Sequence, residues 1–451
     1  MHDLHGLDLS TASNAAAEAF NRTLQAYLGY RSDIAAHLKA TLEADPSFAL
    51  AHCVRGYLLM LTYKQGNVAL AAQACDSAKR LAAAATPREQ AHVQALAAWI
   101  GGDLDGALAA WEGMLRAWPA DLLAMRLAHF NYFWLGRPRD MRASLERITG
   151  RWSKLPGYGI LLGCLAFALE ECGEYAAAER AGREAVERDP ADLWATHAVA
   201  HVLEMQGRRE EGIELLAALE RYWGQANNLV HHLWWHRAMY HLELEDTEAV
   251  LELYDRRIRN LASPLVAAQP DLYIDMQNAA SLLFRLERQG VDVAGRWTEL
   301  ADKAEARIGD CLSAFTLPHW MMALAADGRE DACRRMLGAM RAFGAGAAST
   351  ASVVRDVALP VCEAVWRHRR GEYPQCLQLM RPVLGDMYRL GGSHAQQDVL
   401  EQLFLDAATR AQRVDAVRAL LERVTAAHPV PPGRRIGYAD AARRFSAGPP
   451  H

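Results

Sequence analysis

The sequence predicts an all-α fold, a solenoid of stacked helix pairs, from three observations. Alanine, leucine, arginine and glutamate dominate the 451 residues and runs of β-branched residues are scarce, which is typical of helical proteins. Glycines recur at a nearly constant interval, as they do in arrays of repeated helix pairs. Small residues and prolines recur at fixed places within that interval.

The glycine interval defines the repeat. Successive glycines near the expected turns are 36, 34, 37 and 34 residues apart, close to the roughly 34 residues of a tetratricopeptide repeat. These glycines are Gly66, Gly102, Gly136, Gly173 and Gly207. Because each helix pair buries one face against its neighbours, a repeat that becomes less regular towards the C-terminus still forms a continuous stack. We therefore expect an α-α solenoid, or superhelix, of degenerate tetratricopeptide-like helix pairs.

The stretch from Gly173 to Pro190 shows the repeat most clearly. Ala178 and Ala185 supply small side chains where two helices cross closely, and Pro190 ends the second helix. A second stretch, residues 102–119, matches the same pattern and has Ala107, Trp111 and Pro119 at the corresponding places. Both stretches predict a helix pair with a close crossing.

Composition divides the chain into two parts. We predict one helical-repeat domain over residues 1–427, because the apolar helical pattern continues to that point. From residue 428 the sequence is rich in proline, glycine and arginine. We therefore expect residues 428–451 to form a partly disordered C-terminal tail.

The charge distribution and the cysteines indicate which partners and which cellular compartment to expect. The net charge is −5 with acids and bases interspersed, so nothing predicts a nucleic-acid partner. The apolar stretches are too short for a membrane span, and no signal peptide is visible. None of the eight cysteines forms a C-x-x-C pair, which favours free thiols in a reducing compartment. We expect a cytoplasmic protein.

One stretch, residues 194–243, concentrates histidine and tryptophan. Six of the seventeen histidines fall there together with four tryptophans. The histidines are His197, His201, His231, His232, His236 and His241. The tryptophans nearest to them are Trp194, Trp234 and Trp235, and the fourth is Trp223. This unusual composition makes the stretch the main candidate for a functional site.

The first helix of this stretch carries one polar stripe. Trp194, His197, His201 and Glu204 are spaced by three, four and three residues, which places them on one helix face. The repeat spacing assigns them to positions that line the concave groove. Leucine, alanine or valine would be expected on a packing face, since buried polar groups are costly without partners. The structural alternative is that the histidines hydrogen-bond between adjacent repeats.

The second helix of this stretch has two competing faces. His231, Trp234, Ala238 and His241 form one, and His232, Trp235, His236 and Met239 form the other. The repeat spacing favours the first face. The second repeats the i, i+4 histidine spacing of the preceding helix, so both remain candidates.

Two kinds of chemistry fit these residues. Two H-x-x-x-H pairs, His197 with His201 and His232 with His236, let imidazoles reach one divalent metal such as zinc, with Glu204 as a further ligand. No other cofactor is indicated. Alternatively, these four histidines act as general acids and bases while Glu204 orients one imidazole. That mechanism would suit a hydrolase- or lyase-like enzyme, with the tryptophans, His231 and His241 lining the ligand site.

A second unusual block follows the Gly391-Gly392 pair. Ser393 and Gln396 have the spacing of a capping box, which explains both residues structurally. A ligand-binding alternative is that the helix N-terminus beside His394 binds an anion. His319 and Asp275 are weaker ligand-binding candidates at the starts of other helices.

Four blocks of sequence resemble the tetratricopeptide repeat protein 38 family. In order they are HAVAHVLEMQGRREEG, HHLWWHRAMYHLE, NAASLLFRLERQGVDVAGRW and GGSHAQQD. The resemblance runs from near Leu9 to about Ala408. It implies a helical superhelix with an inner pocket that involves His197, His201, Glu204, His232, Trp235, His236, His241, His319 and residues 391–396. The family has an acidic residue in the third block where this chain has Asn278, which puts a carboxylate role there in doubt.

Two functions of different classes follow. The first is an inner pocket, lined by histidine and tryptophan, for a small polar ligand. The second is a tetratricopeptide-type scaffold for a peptide or protein partner. Peptide grooves of this type use lysine, arginine and asparagine at concave positions, whereas here those positions hold histidine, tryptophan, glutamate and methionine. The sequence therefore favours the pocket.

Overall fold

The structure, a computed structural model, describes residues 1–445. Its regular secondary structure within that range is helical, beside two isolated β-bridges that join His2 to Asp8 and Arg31 to Ala226. Consecutive helices pack in pairs and the pairs stack on one another. The predicted all-α solenoid of tetratricopeptide-like helix pairs is confirmed. The contacts group the chain into two compact units.

The first unit comprises residues 1–199, 219–229 and 346–351. Its helices are α1 (Asn14–Leu28), α2 (Ile34–Ala44), α3 (Ala49–Met60), α4 (Gln65–Leu81), α5 (Pro87–Ile100), α6 (Leu104–Ala117), α7 (Leu122–Trp134), α8 (Pro138–Thr149), α9 (Tyr158–Glu171), α10 (Tyr175–Arg188) and the first part of α11 (Leu193–Met205). Within it, α1 packs on α2, α3 on α4, α5 on α6 and α9 on α10.

The second unit comprises residues 200–218, 230–345 and 352 onwards. Its helices are the rest of α11, α12 (Arg209–Leu219), α13 (Leu229–Glu243), α14 (Thr247–Leu253), α15 (Pro264–Ala268), α16 (Tyr273–Arg288), α17 (Arg296–Ala306), α18 (Thr316–Ala326), α19 (Glu330–Gly344), α20 (Ala351–Val353), α21 (Leu359–Arg369), α22 (Tyr373–Met380), α23 (His394–Arg410), α24 (Val414–Ala427) and α25 (Ala439–Phe445). Here α17 packs on α18, α21 on α22 and α23 on α24.

Four of the five glycines that define the repeat occupy left-handed turns. Gly102, Gly136, Gly173 and Gly207 have φ of 81°, 63°, 81° and 69°, a region that glycine enters without steric cost. Gly66 instead lies in the first turn of α4. The glycine spacing therefore located real turns between helices, except at its first member.

The small residues predicted at helix crossings are fully buried. Ala107, Ala178 and Ala185 have no exposed surface. Ala185 belongs to a core cluster with Leu162 and Ala195, where a larger side chain would push neighbouring helices apart. The repeat pattern thus identified true packing positions.

The C-terminal residues differ from the expectation of a partly disordered tail. Residues 428–445 contain a 3₁₀ turn, Pro432–Arg434, and the helix α25. Val430 and Tyr438 are buried, with 6% and 1% of their surface exposed. Residues 428–445 are ordered because they pack within the second unit. Residues 446–451 of the predicted tail lie outside the described part, and the division at 427/428 stays a prediction.

No described helix combines the length and the apolar character that crossing a bilayer requires. The eight cysteines are free thiols, and seven of them are buried.

Candidate functional site

Three histidines of the second unit lie together in its interior. The ring centres of His201 and His236 are 4.4 Å apart, those of His232 and His236 4.7 Å, and those of His201 and His232 6.5 Å. All three side chains are buried. One nitrogen from each of the three rings lies within 4.8 Å of the others. Two helices, α11 and α13, thus bring three imidazoles to one place.

The face of α13 that meets His201 carries His232 and His236, whereas the repeat spacing favours the opposite face. Trp235 lies beside them and stacks on His232, with ring centres 5.1 Å apart and planes 9° from parallel. The indole N–H of Trp235 donates to Ser281 Oγ at 3.1 Å. The second of the two predicted faces is therefore the one turned towards α11.

The residues of the other face have separate partners. His231 Nδ1 lies 3.1 Å from Asp275 Oδ2, so these two predicted ligand-binding residues pair with each other. The Arg257 guanidinium lies 5.0 Å over the Trp234 ring, and His241 Nδ1 lies 3.0 Å from Asp246 Oδ2. Each of these residues thus has a partner within the described structure, and a ligand-binding role for His231, Trp234, His241 and Asp275 stays a prediction.

The two α13 histidines each face a polar side chain through Nδ1. His232 Nδ1 lies 2.8 Å from Asn278 Oδ1, and His236 Nδ1 lies 2.6 Å from Glu204 Oε2. Such contacts fix the orientation and the tautomer of an imidazole. Asn278 therefore belongs to the candidate site.

Burial controls the protonation of this cluster. It raises the pKa of Glu204 to about 8, against the opposing positive charge of Arg285. It lowers the pKa of His236 to about 3. Burial and the neighbouring His236 also hold the pKa of His201 and of His232 well below the usual value. All four groups are therefore uncharged near neutral pH, a state in which an imidazole can bind a metal or accept a proton.

A pocket lies next to Glu204 within the second unit. It contains about 500 Å³ of empty space, part of which is open solvent. Its lining residues are Glu204, Met205, Arg209, Met239, Tyr240, Glu243, His394, Ala395, Asp398, His428, Val430 and Arg435. Glu204 connects this pocket to the histidine cluster because the other side of its carboxylate contacts His236.

The C-terminal segment, defined as residues 428–438, forms one wall of that pocket. Asp398 on α23 pairs with Arg435 and accepts a hydrogen bond from the Tyr438 hydroxyl at 2.6 Å. Burial by itself would raise the pKa of Asp398, but Arg435 and Arg285 outweigh it and bring the pKa to about 2. Asp398 is therefore an ionised anchor for the C-terminal segment.

Side chains of three helices also bind the backbone of this segment. Arg209 of α12 donates to the carbonyl of Arg434 at 2.7 Å, and Glu243 of α13 accepts from the N–H of Ile436 at 3.3 Å. Arg288 of α16 donates to the carbonyl of residue 437 at 3.2 Å. The sequence did not predict these contacts, because residues so far apart in the chain share no local pattern.

Trp194 and His197 belong to the first unit, one turn of α11 before His201. Their rings are 4.8 Å apart, and Phe167 lies 4.9 Å from Trp194 and 5.1 Å from His197. Trp194 also stacks on Tyr30 at 5.7 Å. These contacts form an aromatic cluster in the first unit, and a ligand-binding or catalytic role for Trp194 and His197 stays a prediction.

The remaining candidates have local contacts. His319 Nδ1 lies 2.9 Å from the carbonyl of Phe315, and burial lowers the pKa of His319 to about 4. Ser393 and Gln396 form the capping box that their spacing predicts, since each side chain bonds to the other's backbone N–H at 3.2 and 3.1 Å. His394, the first residue of α23, is exposed and is one of the residues that line the pocket.

Comparison with known proteins adds little beyond this geometry. No family model matches the sequence. A solved structure, that of Naa15/Naa10 bound to HypK-THB, contains a chain that is similar to this one with a TM-score of 0.27 and 14% identity, over 97% of this chain and 75% of that chain. A likeness of that degree carries no argument about function. The fold and the site define a helical-repeat protein of the tetratricopeptide-like class.

Proposed function

We propose that this chain is a helical-repeat binding protein that holds a peptide segment with turn structure on its second unit. The observation that carries the proposal is the set of bonds from α12, α13 and α16 to the backbone of residues 434–437. Side chains of neighbouring helix pairs in a repeat protein form a continuous surface that can bind a peptide backbone in this way. In this chain the occupant is its own C-terminal segment.

Asp398 would supply the specificity of this surface. It binds the guanidinium of Arg435 and the hydroxyl of Tyr438, two side chains three positions apart. Charge-assisted bonds of this kind are stronger than bonds between neutral groups. A partner protein would therefore present an arginine followed three residues later by a tyrosine, in a turn like that of residues 435–438.

The test uses the full chain and a fluorescent peptide with the sequence of residues 428–445. In the wild type, the attached segment competes at a high effective concentration. An Arg435→Ala variant weakens that competitor and leaves Asp398 available. We expect the variant to bind the peptide at least tenfold more tightly than the wild type does, by fluorescence anisotropy.

Two controls make the result specific. A peptide with alanine at the position of Arg435 should not bind the Arg435→Ala variant, and the double variant Arg435→Ala, Asp398→Asn should not bind the original peptide. Equal, weak binding by the wild type and the Arg435→Ala variant would contradict the proposal.

The pocket beside Glu204 supports a second candidate function. We propose, as the alternative, a small polar ligand and histidine acid–base chemistry of a hydrolase or lyase type, because the 2.6 Å contact joins a pocket-lining carboxyl group to a buried imidazole. A ligand found by thermal-shift screening should stabilise the wild type more than a Glu204→Gln variant. Glu401→Gln is the matched control, since Glu401 is a part-buried acid on α23 outside the pocket.

Two broader attributes belong to the same proposal. Membership of the tetratricopeptide repeat protein 38 family would explain the four sequence blocks. A cytoplasmic location agrees with eight free thiols, which a reducing compartment preserves.

A further inference from the structure

We propose that His201, His232 and His236 form a binding site for a divalent transition-metal ion, with zinc as the best-fitting ion. This inference does not depend on peptide binding by the second unit. It rests on the positions of three imidazoles and on the polar groups behind two of them.

The spacing of the three rings suits one ion. Zinc binds imidazole nitrogen at about 2.0–2.1 Å in a tetrahedron, which places pairs of ligand nitrogens about 3.3 Å apart. The three ring nitrogens already lie within 4.8 Å of one another. Small rotations of the side chains would therefore bring them to zinc-binding distance, without movement of α11 or α13.

Hydrogen-bond partners at Nδ1 orient the rings of His232 and His236. The Nδ1 atoms of His232 and His236 face Asn278 Oδ1 and Glu204 Oε2, so Nε2 is the nitrogen on the other side of each ring, away from these oxygens. Metal-binding histidines commonly donate the other ring N–H to a carboxylate or carbonyl oxygen. Asn278 and Glu204 would have that role here.

The surroundings hold the ligands in place. Trp235 stacks on His232 and is itself bonded to Ser281. Ser281 and Asn278 lie three residues apart on α16, so this one helix holds both the Trp235 ring and the His232 ring in place. Ligands fixed in this way lose little conformational entropy when the ion binds.

The donor set selects the ion. Imidazole suits zinc, copper, iron and nickel, whereas calcium and magnesium require oxygen ligands. Three histidines leave the fourth tetrahedral position for water or another side chain, as in catalytic zinc sites. The site is therefore suited to a bound zinc ion.

The test is the metal content of the full chain after removal of any affinity tag. Elemental analysis after incubation with zinc and gel filtration should give about one zinc per chain. Cobalt(II) added to chelator-treated protein should give the visible absorption of a tetrahedral nitrogen-ligated ion. Absence of stoichiometric zinc and of that absorption in the wild type would overturn the proposal.

Variants locate the ion. His232→Asn and His236→Asn keep a polar group near the position of Nδ1 and remove Nε2, so both should lose the zinc with their helical circular dichroism unchanged. His319→Asn is the matched control, because His319 is equally buried in the same unit but lies outside the cluster. Its zinc content should equal that of the wild type. Zinc retained by both cluster variants would place the ion elsewhere and refute the assignment.

A supporting-residue variant adds a readout that does not depend on removing a ligand. Asn278→Ala keeps all three imidazoles and removes the acceptor behind His232. We expect its zinc affinity to fall by ~10–100-fold, measured by competition with a chromophoric chelator. An unchanged affinity would count against the inward orientation of Nε2.

Discussion

The Tyr438 hydroxyl donates a hydrogen bond of 2.6 Å to Asp398 Oδ1, and this bond joins the C-terminal segment to α23. Both side chains are buried or nearly so, with 1% and 8% of their surfaces exposed. The same carboxylate pairs with Arg435 and accepts from Gln402 Nε2 at 2.6 Å. Asp398 alone therefore binds two side chains of the C-terminal segment, Arg435 and Tyr438, to α23.

Loss of the Tyr438 hydroxyl should destabilise the protein measurably. A hydrogen bond to a charged group contributes about 1.5–3 kcal/mol, so Tyr438→Phe should lower the free energy of unfolding by about that amount in urea. Tyr388→Phe is the control, because Tyr388 is 53% exposed and its hydroxyl is expected to contribute little. Equal urea midpoints for the wild type and Tyr438→Phe would show that the bond adds no stability.

The charge of Asp398 predicts a pH dependence of stability. Its pKa falls from the usual 3.8 to about 2 in the folded protein. A carboxyl group with a depressed pKa stabilises the folded state fully above its unfolded pKa and loses that effect as pH falls through the folded value. The shift corresponds to about 2 kcal/mol.

We therefore expect the stability difference between the wild type and Asp398→Asn to be constant above pH 5 and to shrink between pH 4 and pH 2. Urea unfolding at each pH measures it. Asp415→Asn serves as the control, since that carboxylate is exposed and pairs with surface arginines, where solvent screens the interaction. A difference that stays constant down to pH 2 would mean that Asp398 does not titrate with folding.

Cysteine reactivity tests the interior of the described fold. Cys172 is half-buried, and the other seven cysteines are buried. A thiol reagent should therefore modify about one thiol per native chain rapidly and all eight in denaturant. Cys172→Ser should abolish the rapid phase. Rapid modification of several thiols in the native protein would contradict the packing of α3, α9 and α21.

The sequence predicted the fold through features that act locally. Turn glycines such as Gly173 and crossing residues such as Ala178 follow from helix geometry and recur with the repeat, so a single sequence contains enough information to place them. The i, i+4 spacing of His232 and His236 likewise places both side chains on one face of a single helix. Features of this kind can be predicted without knowing which distant segments of the chain come into contact.

The rest of the candidate site depends on contacts between distant residues. Asn278 and Glu204 reach the α13 histidines from 46 and 32 residues away in sequence, and the repeat spacing favoured the opposite face of α13. The sequence predicted that residues 428–438 belong to a partly disordered tail, because proline and glycine are common in disordered chains. The position of residues 428–438 is determined by the burial of Val430 and Tyr438 and by the charge of Asp398. No local sequence pattern predicts these contacts.

Two glycines provide a matched test of the C-terminal segment. Gly207 and Gly371 both have left-handed backbones, with φ of 69° and 74°. A Cβ at Gly207 would lie 2.9 Å from Val430 Cγ2, whereas a Cβ at Gly371 would meet nothing within 4 Å. Alanine at either position carries the same backbone strain of about 1–2 kcal/mol, but only Gly207→Ala also pushes against the C-terminal segment.

We expect Gly207→Ala to destabilise the protein more than Gly371→Ala does, by about 1 kcal/mol or more for the added overlap. Limited proteolysis should also cut after Arg434 or Arg435 faster in Gly207→Ala, because the displaced segment becomes accessible. Urea unfolding and the rate of tryptic cleavage, followed by mass spectrometry, measure the two effects. If both variants lose the same stability and are cut at the same rate, Val430 does not pack on Gly207 and the C-terminal segment is not held at this turn.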